Sequence, residues 1–156
     1  MLPFKTILFA TDFSPTSNAA FGVAAALARD YKARIIALHV VEPVRVGFSE
    51  FGGYVGPDED KDVAMEMLRS IQAPMVTVEH RLRDGEPAGV IVETAAETGA
   101  DVIVMGTMGR TGLTRLVMGS VAEETLRHAP CPVLTVRGTI PVTIAEPAPQ
   151  SEVVVM

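Results

Sequence analysis

Five short runs of apolar, often β-branched residues recur along the chain: Thr6 to Ala10, Arg34 to Val41, Met75 to Glu79, Asp101 to Met105 and Pro132 to Val136. Most are nearly continuous, the pattern of parallel strands covered on both faces. Only Met75-Val76-Thr77-Val78-Glu79 alternates cleanly, which suits a strand nearer an edge.

Between the runs the spacing turns helical. Ser14-Pro15 reads as N-cap and first helical residue, followed by Ala19, Ala20, Val23, Ala24 and Leu27 on one face. A second helix is predicted over about residues 58 to 71, opened by Asp58, Glu59 and Asp60. A third follows Gly85-Glu86-Pro87, carries Val90, Ile91, Thr94 and Ala95, and stops near Gly99. The fourth begins near Ser120 and ends before Pro130. Strict alternation of strand and helix implies an α/β fold: a single open five-stranded parallel sheet with right-handed crossovers and helices on both faces. The common order for such a series is 3-2-1-4-5, with the reversal between the first and fourth strands.

Two segments break the rhythm. Residues 42 to 57 are glycine-rich and carry Phe48, Phe51 and Tyr54, as expected of a lid, a binding loop or a mobile excursion. The tail from 139 to 156, with Pro141, Pro147 and Pro149, reads as a linker-like end or a segment that docks on the domain formed by residues 1 to 138.

Composition narrows the function classes. A net charge of −6, with 13 Lys and Arg scattered along the chain, argues against nucleic acid as the main partner, because duplex binding rests on phosphate neutralisation. Small anions stay open, since oriented backbone amides in one loop can hold them. No apolar run approaches the ~18 to 20 residues of a membrane span, and the N-terminus lacks the order of a signal peptide. Cys131 is the single cysteine, so the expectation is a soluble, cytoplasmic chain without membrane attachment or internal disulfide. Flanked by prolines and with no base beside it in sequence, Cys131 reads as an inert thiol. His39, His80 and His128 have no metal-like spacing.

The chemistry concentrates between Met105 and Ser120. This stretch leaves the carboxyl end of the fourth strand and delivers the chain into the last helix. In an open parallel sheet, ligands bind outside the carboxyl ends of the strands, beside the reversal of strand order. That brings in Thr11 and Asp12, at the end of the first strand. Gly106, Gly109 and Gly119 let a phosphate chain approach the backbone, and Ser120 offers a hydroxyl and a helix-start amide. Each hydrogen bond to a charged phosphate contributes roughly 1.5 to 3 kcal/mol, so three or four suffice without a lysine. The spacing fits neither the Walker A loop nor the Rossmann fingerprint.

On these residues the chain resembles the universal stress protein family. The family's nucleotide-binding branch carries Gly-x2-Gly-x9-Gly-Ser/Thr, which Gly106, Gly109, Gly119 and Ser120 reproduce. The likeness runs from the Thr6 strand, with Asp12 and Ser14 behind it, to Ala129-Pro130-Cys131-Pro132-Val133. It implies an adenine nucleotide alpha hydrolase-like fold and a regulatory protein of the stress response that binds ATP with Mg. Gly106 and Gly109 would lie along the ribose and phosphates; Gly119, Ser120 and Val121 would meet the phosphates. Asp12 would sit by the ribose and the nucleotide-bound metal, with Thr11 beside it. The Val40 backbone would face the adenine edge and Met105 the base or sugar, while Arg110 is either a phosphate contact or a surface arginine. Blander readings stand beside these: turns for the glycines, a cap for Asp12, core for Val40 and Met105. The likeness also implies a homodimer paired through the final strand; the regulated partner is not named by it. Alternatives are a slow ATPase, or an accessory or chaperone-like subunit working through its surface.

Overall fold

The computed structural model describes residues 3–43, 46–49, 52–55, 60–107 and 118–138, with the backbone alone considered at 46–49 and 52–55. The first strand, β1 (Thr6–Ala10), leads into helix α1 (Pro15–Tyr31), and β2 (Arg34–Val41) follows. A short hairpin comes next, β3 (Val46–Ser49) and β4 (Gly52–Val55), then α2 (Lys61–Arg69), β5 (Val78–Asp84) and α3 (Pro87–Thr98). The chain continues through β6 (Val102–Gly106), α4 (Ser120–His128) and β7 (Val133–Val136). The main sheet has the order β5-β2-β1-β6-β7 with every pairing parallel, which is the predicted 3-2-1-4-5 arrangement.

Strand residues divide cleanly between two cores. Ile7, Phe9, Ile35, Ala37 and Val104 point to the face covered by Ala20, Ala24 and Ala28 of α1 and Leu68 of α2. Leu8, Ala10, Ile36, Leu38 and Ile103 point to the other, covered by Val90, Ile91 and Ala95 of α3 and Ala122 of α4. Burial on both faces explains why the central strands read as continuous apolar runs. A stripe of alanines lets α1 lie close to the sheet.

The helix ends follow their sequence signals. Ser14 Oγ accepts from Ser17 N at 3.2 Å with Pro15 at the first helical position. Asp60 caps α2, and Glu86 caps α3 through bonds from Ala88 N and Gly89 N. Gly99, with φ 62, ends α3 in the left-handed conformation that glycine adopts without penalty.

Two expectations are corrected. The third strand of the main sheet is Val78–Asp84, not 75–79, because a turn over residues 73–76, closed by Val76 N donating to Ala73 O, precedes it. Its inner positions Val78 and Leu82 pack on the core, while Glu79, Arg81 and Arg83 are half-buried under ion pairs. Such an edge strand needs only alternate apolar positions, so a short apolar stretch upstream outweighs it in the sequence pattern. The segment 42–57 is also not a plain loop, since Val46–Ser49 and Gly52–Val55 pair antiparallel.

Candidate functional site

The reversal of strand order lies between β1 and β6, where β1 pairs with β2 on one side and β6 on the other. At the carboxyl end of β1 the chain makes a compact turn. Thr11 N donates to Leu38 O at 2.9 Å, and Thr11 Oγ1 accepts from Phe13 N at 3.0 Å and from Ser17 Oγ at 2.8 Å. Asp12 Oδ1 accepts from Ser14 N at 2.9 Å, so the carboxylate stabilises the turn that launches α1. Phe13 adopts φ 64, a left-handed conformation that costs a non-glycine residue of order 1 kcal/mol.

His39 holds that turn from β2. Its Nδ1 lies 2.7 Å from Thr11 O, and its ring packs against Phe13 with centroids 4.4 Å apart. A carbonyl only accepts, so Nδ1 carries the proton. Nothing in the sequence marked this role beyond a polar residue inside an otherwise apolar run. His80 and His128 serve locally: His80 Nε2 meets Ile71 O and His128 Nδ1 meets Glu124 O.

Gly106, the last residue of β6, lies against the start of α1. A Cβ there would stand 2.9 Å from Thr16 Cγ2 and 3.3 Å from Ser17 N. Ser17 therefore touches both ends of the reversal, Thr11 by its hydroxyl and Gly106 by its backbone. The glycine at 106 is required by this close approach alone.

Beyond Gly106 the chain passes through Thr107 and returns at Gly119. Gly119 N donates to Thr107 O at 2.6 Å, which closes the intervening segment at its neck. Thr107 N and Oγ1 both reach Val136 O, at 3.0 and 3.3 Å, tying the neck to the end of β7. Gly119 is the N-cap of α4 and offers no side chain to its first turn, so the helix start presents backbone amides without a side-chain cap. Uncapped amides at a helix start favour an anion.

The residues singled out from sequence thus fall into groups. Thr11, Asp12, Gly106, Gly119, Ser120 and Val121 stand at the carboxyl end of the sheet around the reversal. Val40 and Met105 stand one residue before the ends of β2 and β6, with side chains in the second core. Gly109 and Arg110 lie outside the described residues. Among the described residues no group of three or more His, Cys, Asp or Glu could hold a metal. Cys131 stands at the opposite end, before β7; burial and then the Asp101 carboxylate push its thiol up, partly offset by a backbone hydrogen bond with Ile103. Among the described residues no helix is long and apolar enough to cross a membrane.

This arrangement has known counterparts. Residues 3–137 match the sequence profile of the Universal stress protein family. The chain belongs to the universal stress protein family. A universal stress protein of Methanocaldococcus jannaschii is 34% identical over 140 residues, covering 86% of this chain and 82% of its relative. A family member of known structure from Burkholderia pseudomallei is 30% identical with a TM-score of 0.61, over 87% of this chain and 98% of that one. The universal stress protein from Archaeoglobus fulgidus, solved in complex with dAMP, is 25% identical with a TM-score of 0.62, over 86% and 99% of the two chains. This universal stress protein therefore shares its fold with a relative that holds an adenine nucleotide.

Proposed function

We propose that this universal stress protein binds an adenine nucleotide, ATP with Mg2+, at the carboxyl end of its sheet, and acts as a regulatory protein of stress physiology. The observation that carries the reading is the neck: the Thr107–Gly119 bond holds an uncapped helix start at the carboxyl end of β6, the strand that pairs with β1 at the strand-order reversal. Support also comes from the dAMP complex of the Archaeoglobus fulgidus relative.

In this reading Ser120 and Val121 amides, with Gly119, receive the phosphates, and Gly106, Gly109 and Arg110 flank them. The Val40 backbone addresses the adenine edge, Met105 walls the base or sugar, and Thr11 and Asp12 face the ribose. Mg2+ fits as a companion of the nucleotide: it takes its ligands mainly from phosphates and water, so one protein carboxylate, Asp12, suffices. Two copies pair through β7, one of the two edge strands of the sheet. Binding, not turnover, is the activity. ATP hydrolysis faster than about 1 per second that disappears in Asp12→Ala would make it an enzyme instead.

The test is to denature freshly purified protein and separate any released nucleotide by chromatography, then to add nucleotide back to stripped protein. Adenine nucleotide released or rebound with Mg2+ is expected. Protein that releases none and rebinds none would overturn the proposal and leave a surface-acting accessory role.

A further inference from the structure

At the amino ends of the strands, opposite the proposed nucleotide loop, an open cleft of about 410 Å³ separates the end of α1 from the turn before β5. Arg29, Lys32 and Arg34 line it together with Met75 and Thr77, and among the described residues no carboxylate does. On a chain of net charge −6 that is an unusual lining. Lys32 sits at the C-cap of α1 and makes no ion pair among the described residues. Arg29 meets the neighbouring Asp30 at 3.2 Å, both well exposed. Arg34 reaches Glu79 only at 3.7 Å, and Glu79 also accepts from Arg81 at 2.7 Å. Exposed pairs of this kind are weak and exchange readily for a better partner.

Met75 is the second observation, independent of charge. Ala73-Pro74-Met75-Val76 forms a turn closed by Val76 N donating to Ala73 O at 3.3 Å. Proline stands second and Met75 third, with φ 63. That is the position where a type II turn demands a left-handed residue and where glycine or asparagine is the ordinary choice. Met75 carries a large apolar side chain there and is 98% exposed, so the fold recovers no burial for the strain. It is the strain, more than the exposure of one apolar side chain, that points to contact with another molecule.

We propose that this cleft docks an acidic segment of a partner protein, its carboxylates on Arg29, Lys32 and Arg34 and an apolar residue against Met75. Charge complementarity selects an acidic partner. The methionine selects a polypeptide over a free anion, because a thioether adapts to apolar side chains and offers a phosphate nothing. The cleft lies at the far end of the sheet from the nucleotide loop, so the inference stands apart from the nucleotide reading.

The test uses the full chain and a fluorescein-labelled peptide of repeated Glu-Glu-Leu, followed by fluorescence anisotropy. Saturable binding that weakens as salt rises is expected. The double variant Arg29→Glu, Lys32→Glu should lower affinity about tenfold, as two exposed charge pairs turned repulsive would. Met75→Gly should also weaken binding while leaving Tm unchanged or raised, since glycine relieves the turn. A purely structural methionine would behave the opposite way, with Tm lowered and affinity intact, and that result would overturn the proposal. So would absence of saturation, equal binding of a Lys-Lys-Leu peptide, or affinity unmoved by the charge reversals. Displacement of the peptide by inorganic phosphate, where chloride at equal ionic strength fails, would overturn it in favour of a small-anion site.

Discussion

Gly106 shows how one missing methyl group serves packing. Thr16 and Ser17 occupy the space a Cβ would need, and the nearer atom is a methyl on the first turn of α1. Gly106→Val is expected to destabilise the fold by about 2 kcal/mol through overpacking, whether or not nucleotide is present. Urea unfolding of the variant without nucleotide measures this; unchanged stability would mean that α1 does not press on β6 as closely as described. The Gly-x2-Gly-x9-Gly-Ser spacing made Gly106 visible in the sequence, but only as a phosphate residue. Its neighbour across the helix start is more than eighty residues away along the chain, beyond the reach of local pattern. His39 escaped for the same reason, since it reaches the Thr11 turn from β2, and so did the approach of Ser17 to Gly106. Gly119 is a cleaner probe. Its φ −59 and ψ 151 are open to any residue, so a side chain there would fill the proposed phosphate path without straining the backbone.

Among the elements, β7 links the candidate site to the proposed dimer. It forms one edge of the sheet, and Val136 O receives both hydrogen bonds from Thr107 at the neck. Val136 is 5% exposed in the first core, whereas Leu134, two residues earlier on the same face, is 38% exposed. A charge at Leu134 therefore tests edge pairing without disturbing the core. Leu134→Lys is expected to shift the protein from dimer to monomer at micromolar concentration by light scattering, with Tm of the monomer little changed. A wild-type chain that is already monomeric would rule out the dimer and favour an edge covered by the tail. Central strands and capped helices were legible because burial on both faces and the Ser14-Pro15, Asp60, Glu86 and Gly99 signals are local. The edge strand β5 was displaced in the sequence reading because its burial depends on α2 and on ion pairs to other elements. The β3–β4 hairpin was hidden by its glycines, which weaken strand propensity.

At the scale of the molecule, the sheet has two candidate functional ends. Its carboxyl end gathers the Asp12 turn, the Thr107–Gly119 neck and the uncapped start of α4; its amino end carries the cationic cleft and Met75. Strand order was legible from the alternation of elements, and that order is what brings residues 11 and 106 to one rim. The proposed nucleotide class rests on family resemblance, since backbone amides carry no side-chain signature. The decisive measurement is calorimetric titration of the folded wild-type chain and the Gly119→Val variant with ATP and GTP in the presence of Mg2+. The account predicts that wild type binds ATP more tightly than GTP and that Gly119→Val, with unaltered circular dichroism, loses at least about tenfold in ATP affinity, the equivalent of one charged hydrogen bond. Unchanged ATP affinity in the folded variant, or no ATP binding by wild type, would contradict it.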